Sequence, residues 1–395
     1  AGDWPQILGP DRNGTAVNET LSEWDTSGPT QLWQFRVTSG FAGVAVSEQT
    51  MVLFERDDDL EIVRAHHSVT GKRLWSATSP CTYRSSISSD NGPRCVPLIN
   101  QGRVYTFGAE GLLRCLQLRD GTEIWKRDTR ADFSPTEGYF GVGSTPLLFG
   151  KLLIVNVGSR DNAAVVAFDS DSGATVWKSF ADTASYSAPI AVKIGSTDHI
   201  LIVTRLNFLS LDPENGNVRF RFPFGSRGPT VNAATPMIVG NRFLLTSSYG
   251  IGAVFGEIRE AEYHEVWKDA DLLASQYATP IQCNGLTYAV DGRQDGGAGT
   301  ASLKCIDLEN RKVLWEEKGF DYGTLIRVQE EFLFLTCGGE LIRFRANAES
   351  YQEVNRSRVL DRTESGYRLP AIARGRLYIR DDASCRCLEV GPTNK

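Results

Sequence analysis

The chain has 395 residues, 41% hydrophobic and 23% charged, the balance of a folded globular protein rather than a disordered one. Its formal net charge of −6 speaks against nucleic acid, whose binders carry a basic excess or stripe. No apolar run approaches the roughly 20 residues of a membrane helix.

The chain starts Ala-Gly-Asp with no methionine, as expected after removal of a signal peptide or after trimming. Residues 1–28 read as a leader that packs on whatever follows. From residue 29 onward, short Val, Leu and Ile runs are separated by glycine-rich turns, and no long stretch carries a 3.6-residue period. That predicts an all-β fold. PTQLWQF (29–35) is the first clear strand. TGKRLW (70–75) then returns as DGTEIW (120–125) and SGATVW (172–177).

The aromatic that ends this motif recurs at Trp33, Trp75, Trp125, Trp177, Phe220, Trp267 and Trp315, with Val354 as a degenerate eighth. The intervals, 39 to 52 residues, match the length of a four-stranded propeller blade. In each clear unit a tight turn leads into an outer strand that closes on the aromatic. A second series is centred on proline: RCVPLI (94–99), GSTPLL (143–148), YSAPIAV (186–192), AATPMIV (233–239), YATPIQC (277–283) and YRLPAIA (367–373). Proline is tolerated at a strand start, so each should mark where an innermost strand begins.

Eight beats predict an eight-bladed β-propeller of four-stranded antiparallel blades. The expected blades cover about 37–75, 80–125, 139–177, 184–220, 230–267, 275–315, 320–354 and 366–392. The last of these holds only three strands of its own. Residues 29–36 are a fourth strand without a blade, so the N-terminal strand should pair with the C-terminal blade and close the ring. A single propeller would then span 29–395, as a monomer.

The blade signature, seen in CLQLRDGTEIW (115–125), AFDSDSGATVW (167–177) and CIDLENRKVLW (305–315), resembles that of the PQQ-like β-propeller repeat family. The opening WPQILGPDRNG (4–14) is similar to the leader of uncharacterised bacterial extracytoplasmic members. The resemblance implies a periplasmic or secreted protein. It also offers a second function: a PQQ- and calcium-dependent quinoprotein oxidoreductase acting on alcohols. The adjacent Cys-Cys platform on which such enzymes often stack the quinone is absent from the sequence.

Inner-strand starts and the loops between second and third strands share one face of a propeller. Reading three residues before each proline gives Phe41, Arg94, Gly143, Tyr186, Ala233, Tyr277, Tyr322 and Tyr367, with Val44 and Leu325 in the place of proline in two units. This predicts a partial aromatic ring at the channel mouth, able to stack on a planar or sugar-like ligand or a peptide. The same residues could instead wedge the blades apart. The loops of that face contribute Arg56, Arg160, Arg205, Arg293 and Arg380, each beside Asp or Asn. Arg205 and Arg293 join the ring as candidate ligand contacts.

Among the eight cysteines, Cys81 and Cys95 could close a short disulfide. Cys115, Cys305 and Cys387 occupy one repeat position, held in other blades by Ala65, Ala167 and Ser210, and read as a small buried site. No histidine pair has zinc-ligand spacing, and no nucleophile elbow or phosphate loop occurs. The residues therefore predict a non-catalytic binding or scaffolding propeller, with no metal, no cofactor, and a protein or carbohydrate partner at the channel mouth.

Overall fold

The computed structural model describes residues 2–136, 138–228, 230–361 and 368–393. Its sheets form eight four-stranded blades, one of which gains a fifth, parallel strand from the leader. The first blade runs Ala45–Ser47, Thr50–Asp57, Leu60–His67 and Arg73–Pro80. The eighth takes Ala371–Ala373, Arg376–Arg380 and Ser384–Glu389 from the C-terminus. Its outer strand is Thr30–Arg36, paired antiparallel from Thr30 opposite Glu389 to Arg36 opposite Ser384. Helix among the described residues is limited to one α turn, Thr129–Phe133, and one 3-10 turn, Gln294–Gly296.

The two sequence series have separate physical causes. All six prolines stand immediately before an innermost strand: Leu98, Leu147, Ile190, Met237, Ile281 and Ala371 are the first ladder residues after them. The ladder thus begins where the missing N–H is no longer needed. The aromatic series joins neighbouring blades. Each indole donates to a backbone carbonyl of the next blade: Trp33 to Ser68 at 3.1 Å, Trp75 to Leu118 at 2.8 Å, Trp125 to Ser170 at 3.0 Å, Trp177 to Pro213 at 2.9 Å, Trp267 to Leu308 at 2.7 Å and Trp315 to Asn347 at 2.8 Å. The buried N–H is satisfied only because the next turn is in place. A Cβ at the turn glycines Gly71, Gly121, Gly173 or Gly216 would stand 2.5–2.9 Å from that indole. Glycine and tryptophan of the motif thus meet across a blade boundary.

Within most blades the aromatic sits opposite a small residue of the third strand; Trp267, opposite Phe255, is an exception. Trp33 faces Cys387, Trp75 faces Ala65, Trp125 faces Cys115, Trp177 faces Ala167 and Trp315 faces Cys305.

The leader laces the ring at the end of the channel where first and second strands turn. Trp4 exchanges backbone hydrogen bonds with Val46 of the first blade, and Ile99 of the second donates to the carbonyl of Pro5. Arg12, almost fully buried, donates to the carbonyls of Pro146 and Pro189 in the third and fourth blades. Thr15–Ala16 pairs in parallel with Arg327 and Val328 of the seventh. The Glu19 carboxylate accepts from the amides of Arg374 and Gly375 in the eighth. The leader thus makes backbone and side-chain contacts with six blades at this end.

Candidate functional site

The opposite end of the channel is formed by the connections entering each blade and the loops between second and third strands. A chamber of about 350 Å³ lies there on the channel axis, with Ile7 and Leu8 of the leader reaching its inner end. Phe41, Arg94, Tyr186 and Tyr277 line it, with Phe140 and Tyr249 between them. The Arg94 guanidinium sits 4.4 Å from the ring centroids of both Phe41 and Phe140 and donates to the Phe140 carbonyl. The Tyr186 hydroxyl accepts from the Phe140 amide at 2.9 Å and donates to the Gly141 carbonyl at 3.0 Å. Burial raises its pKa well above the usual phenol range. The Tyr277 hydroxyl meets Cys337 Sγ at 3.1 Å. The chamber walls are thus preorganised, with their polar groups already tied down.

Tyr322 corrects the sequence reading. It is 1% exposed and lies behind the wall, its ring edge-on to Tyr277 at 4.8 Å. Its hydroxyl satisfies Ser275 Oγ and the amides of Tyr277 and Ala278 at 2.8–2.9 Å. In its blade no proline delays the ladder, which starts at Gly323, so this tyrosine is drawn into the blade boundary. Tyr367 lies outside the described residues.

The charged loops divide into two groups. Arg56 and Arg380 are 2% exposed and act as internal clamps: Arg56 donates to the carbonyls of Asp58, Cys81 and Tyr83, and Arg380 to that of Thr38. Asp381 accepts from the amides of Ala383 and Ser384. These charges hold loops together; of the loop arginines, only Arg205 and Arg293 were candidate ligand contacts. Arg293 stands 5.1 Å from the Tyr249 ring and 3.5 Å from Asp295, beside the axial chamber. Arg205 faces a different space.

That space is a cleft of about 770 Å³ beside the chamber, sharing Tyr186 and Val231 with it. Arg84, Arg160, Arg205 and Arg227 surround it, and Tyr83 and Tyr139 contribute aromatic surface. Its carboxylate among the described residues is Asp182, which accepts from Thr204 Oγ1, Asn207 Nδ2 and the amides of Thr183 and Leu206. Sequence reasoning missed Arg84, Arg227 and Tyr139 because they lie on connections entering the blades, which do not follow the repeat.

The Cys81–Cys95 disulfide that the sequence allowed is not formed. Both are buried free thiols in different clusters, Cys81 with Tyr83 and Ala109, Cys95 in the core between the first blades. Burial pushes both thiols up to about 12, so neither supplies a thiolate at neutral pH.

The residues at the mouth do not fit a calcium-quinone centre. Among the described residues no group of three or more His, Cys, Asp or Glu side chains could hold a metal ion. The carboxylate lining the chamber, Asp295, is the one beside Arg293.

A family model described as outer membrane protein assembly factor BamB matches residues 61–317. The chain belongs to the PQQ-like β-propeller repeat family. Within this family it is 24% identical to the outer membrane protein assembly factor BamB of Moranella endobia (strain PCIT) over 300 residues, 71% of this chain and 69% of that protein. It is 27% identical to the quinohemoprotein alcohol dehydrogenase of Comamonas testosteroni over 138 residues, 32% of this chain and 18% of the enzyme. Among solved structures, BamB from Moraxella catarrhalis superimposes with a TM-score of 0.67 at 15% identity, covering 93% of this chain and 99% of that one. The Comamonas testosteroni enzyme gives 0.66 at 12%, covering the whole of this chain and 81% of that one. At such identities the structural likeness concerns the fold. No helix among the described residues is long and apolar enough to cross a membrane.

Proposed function

We propose that this PQQ-like propeller is a non-catalytic binding or scaffolding protein working outside the cytoplasm, with its partner, protein or carbohydrate, on the channel-mouth face. One observation carries the reading: the leader is bonded to six blades at one end of the channel, with Ile7 and Leu8 at the inner end of the chamber, while the other end holds that chamber and an adjoining cleft. A ligand reaches the interior from that face. The polar groups there are positioned by backbone contacts, as binding surfaces require and as acid–base catalysis, which needs a free proton acceptor, does not. The relatives described as outer membrane assembly factors are in keeping with work outside the cytoplasm.

The test compares a photo-crosslinking residue at Ile87, an exposed chamber residue, with one at Leu74 on the outer rim. A discrete adduct formed in cell-envelope extract from position 87 and not from position 74 is the expected result. Adducts confined to position 74 would move binding to the rim. The quinoprotein reading is tested by calorimetric titration with PQQ and Ca²⁺. Saturable, calcium-dependent binding that disappears in Tyr186→Ala/Tyr277→Ala would replace the proposal; the expected heat is that of dilution.

A further inference from the structure

The lateral cleft has a chemistry of its own. In a chain of formal net charge −6, four guanidinium groups surround it against one carboxylate among its described lining residues. That carboxylate, Asp182, is buried and spends its lone pairs on Thr204, Asn207 and two backbone amides. Arg84 is neutralised by Asp59 at 2.5 Å. Arg205 donates to Thr230 Oγ1 and the Gly228 carbonyl, both uncharged. Arg160 and Arg227 are exposed and have no ion pair among the described residues. Among the described residues, three cationic side chains, Arg160, Arg205 and Arg227, thus border one concavity with no ion pair of their own. Guanidinium groups are suited to planar, bidentate recognition of carboxylate or sulfate.

The rest of the wall tells which kind of anion fits. Tyr139 is 37% exposed, with the Arg205 guanidinium 5.9 Å from its ring centroid. An open aromatic face can pack against the C–H face of a pyranose ring. The surrounding side chains are short and hydroxylated, Ser86, Thr136 and Thr183 among them, and the larger aliphatic ones are Leu206 and Val231. A peptide groove would offer apolar pockets for alternate side chains. This cleft offers hydrogen bonds, one aromatic platform and positive charge, in a volume of about 770 Å³.

We propose that the cleft over blades two to five binds an acidic oligosaccharide, its carboxylate or sulfate groups held by Arg160, Arg205 and Arg227 and one sugar ring resting on Tyr139. The inference rests on the binding reading above and names its ligand class. The experiment is calorimetric titration of the full chain with four probes: a tetragalacturonate, a chondroitin sulfate tetrasaccharide, maltotetraose and hexaglutamate. At least one acidic oligosaccharide should bind at least 10-fold more tightly than maltotetraose and hexaglutamate, and the better of the two identifies the anion. Arg160→Gln/Arg227→Gln should weaken that binding at least 10-fold, and Tyr139→Ala about 5-fold, with melting temperatures unchanged. Moving from 50 to 500 mM salt should weaken it further. Binding of neither acidic probe, equal binding of maltotetraose or hexaglutamate, or an unaffected double arginine variant would overturn the inference. If the mouth-face crosslink at position 87 persists in that case, the binding reading survives and the acidic sugar alone is lost.

Discussion

At the scale of single residues, the repeat motif is a contact between blades, and this gives an internal control. Gly121 and Gly102 share a backbone conformation, with φ of +74° at each. A Cβ at Gly121 would lie 2.5 Å from the Trp75 ring, whereas one at Gly102 would meet nothing within 4 Å. Gly102→Ala should therefore cost only the left-handed penalty, about 1–2 kcal/mol. Gly121→Ala should add an overpacking cost of about 1–3 kcal/mol. Urea unfolding of the two variants measures the difference, and equal midpoints would mean that Trp75 moves aside freely. A buried carboxyl gives a second residue-scale effect. Glu61 accepts from the Ala109 amide at 2.7 Å, and burial, partly offset by that bond, raises its pKa from 4.5 to about 6. The folded state then binds the proton more tightly than the unfolded chain. Its contribution favours the fold fully below pH 4.5 and is lost as pH rises through 6, about 2 kcal/mol in all. Glu61→Gln keeps the acceptor and removes the titration. Its melting temperature should match the parent at pH 4.5 and exceed it at pH 7.5. The small residue opposite five of the tryptophans was legible in the sequence, because Cys115, Cys305 and Cys387 share a position with alanine and serine; Trp267, which faces Phe255, departs from it. The fate of Tyr322 was not, because whether a tyrosine lines a channel or enters a blade boundary depends on where its strand begins.

At the scale of elements, the strands were readable because a blade imposes one pattern eight times, while the elements that shape the mouth are not repeated. The prolines located the innermost strands, but the cleft is built from connections of differing length and sequence, such as those carrying Arg84, Tyr139 and Arg227. The leader is likewise unique in the chain. Its WPQILGPDRNG stretch could be noticed without revealing that Arg12 reaches the prolines of the third and fourth blades. That guanidinium is buried, its pKa pulled down to about 9 by desolvation, and still protonated at neutral pH. It stays in place because it satisfies two carbonyls and Gln6 Oε1. Arg12→Leu leaves those acceptors without a donor and should weaken leader docking by about 2–4 kcal/mol. Limited thermolysin digestion should then cut within residues 1–28 much faster than in the parent, with the blades left intact. Cleavage at the parental rate would show that the backbone pairing of Trp4 with Val46 and of Thr15–Ala16 with the seventh blade holds the leader unaided.

At the scale of the whole molecule, the ring is closed by joining the two ends of the chain. Thr30–Arg36 becomes the outer strand of a blade whose other strands end at Glu389, and Trp33 then docks on Ser68 of the first blade. The entropic cost of bringing such distant segments together grows only with the logarithm of their separation, by about 0.6 kcal/mol per doubling. Closure removes an open edge from the eighth blade and gives the first blade its neighbour. The blades should therefore unfold as one unit, although each touches mainly its neighbours and an open array would melt in parts. Deleting residues 384–395 removes the partner of Thr30–Arg36 and the surface that positions Trp33. The shortened chain should lose the single calorimetric transition, begin to melt at least about 10 °C lower, and self-associate through its exposed strands in sedimentation velocity. An undiminished single transition would assign the closure instead to the leader, whose contacts from the first blade to the eighth would then suffice to hold the ring.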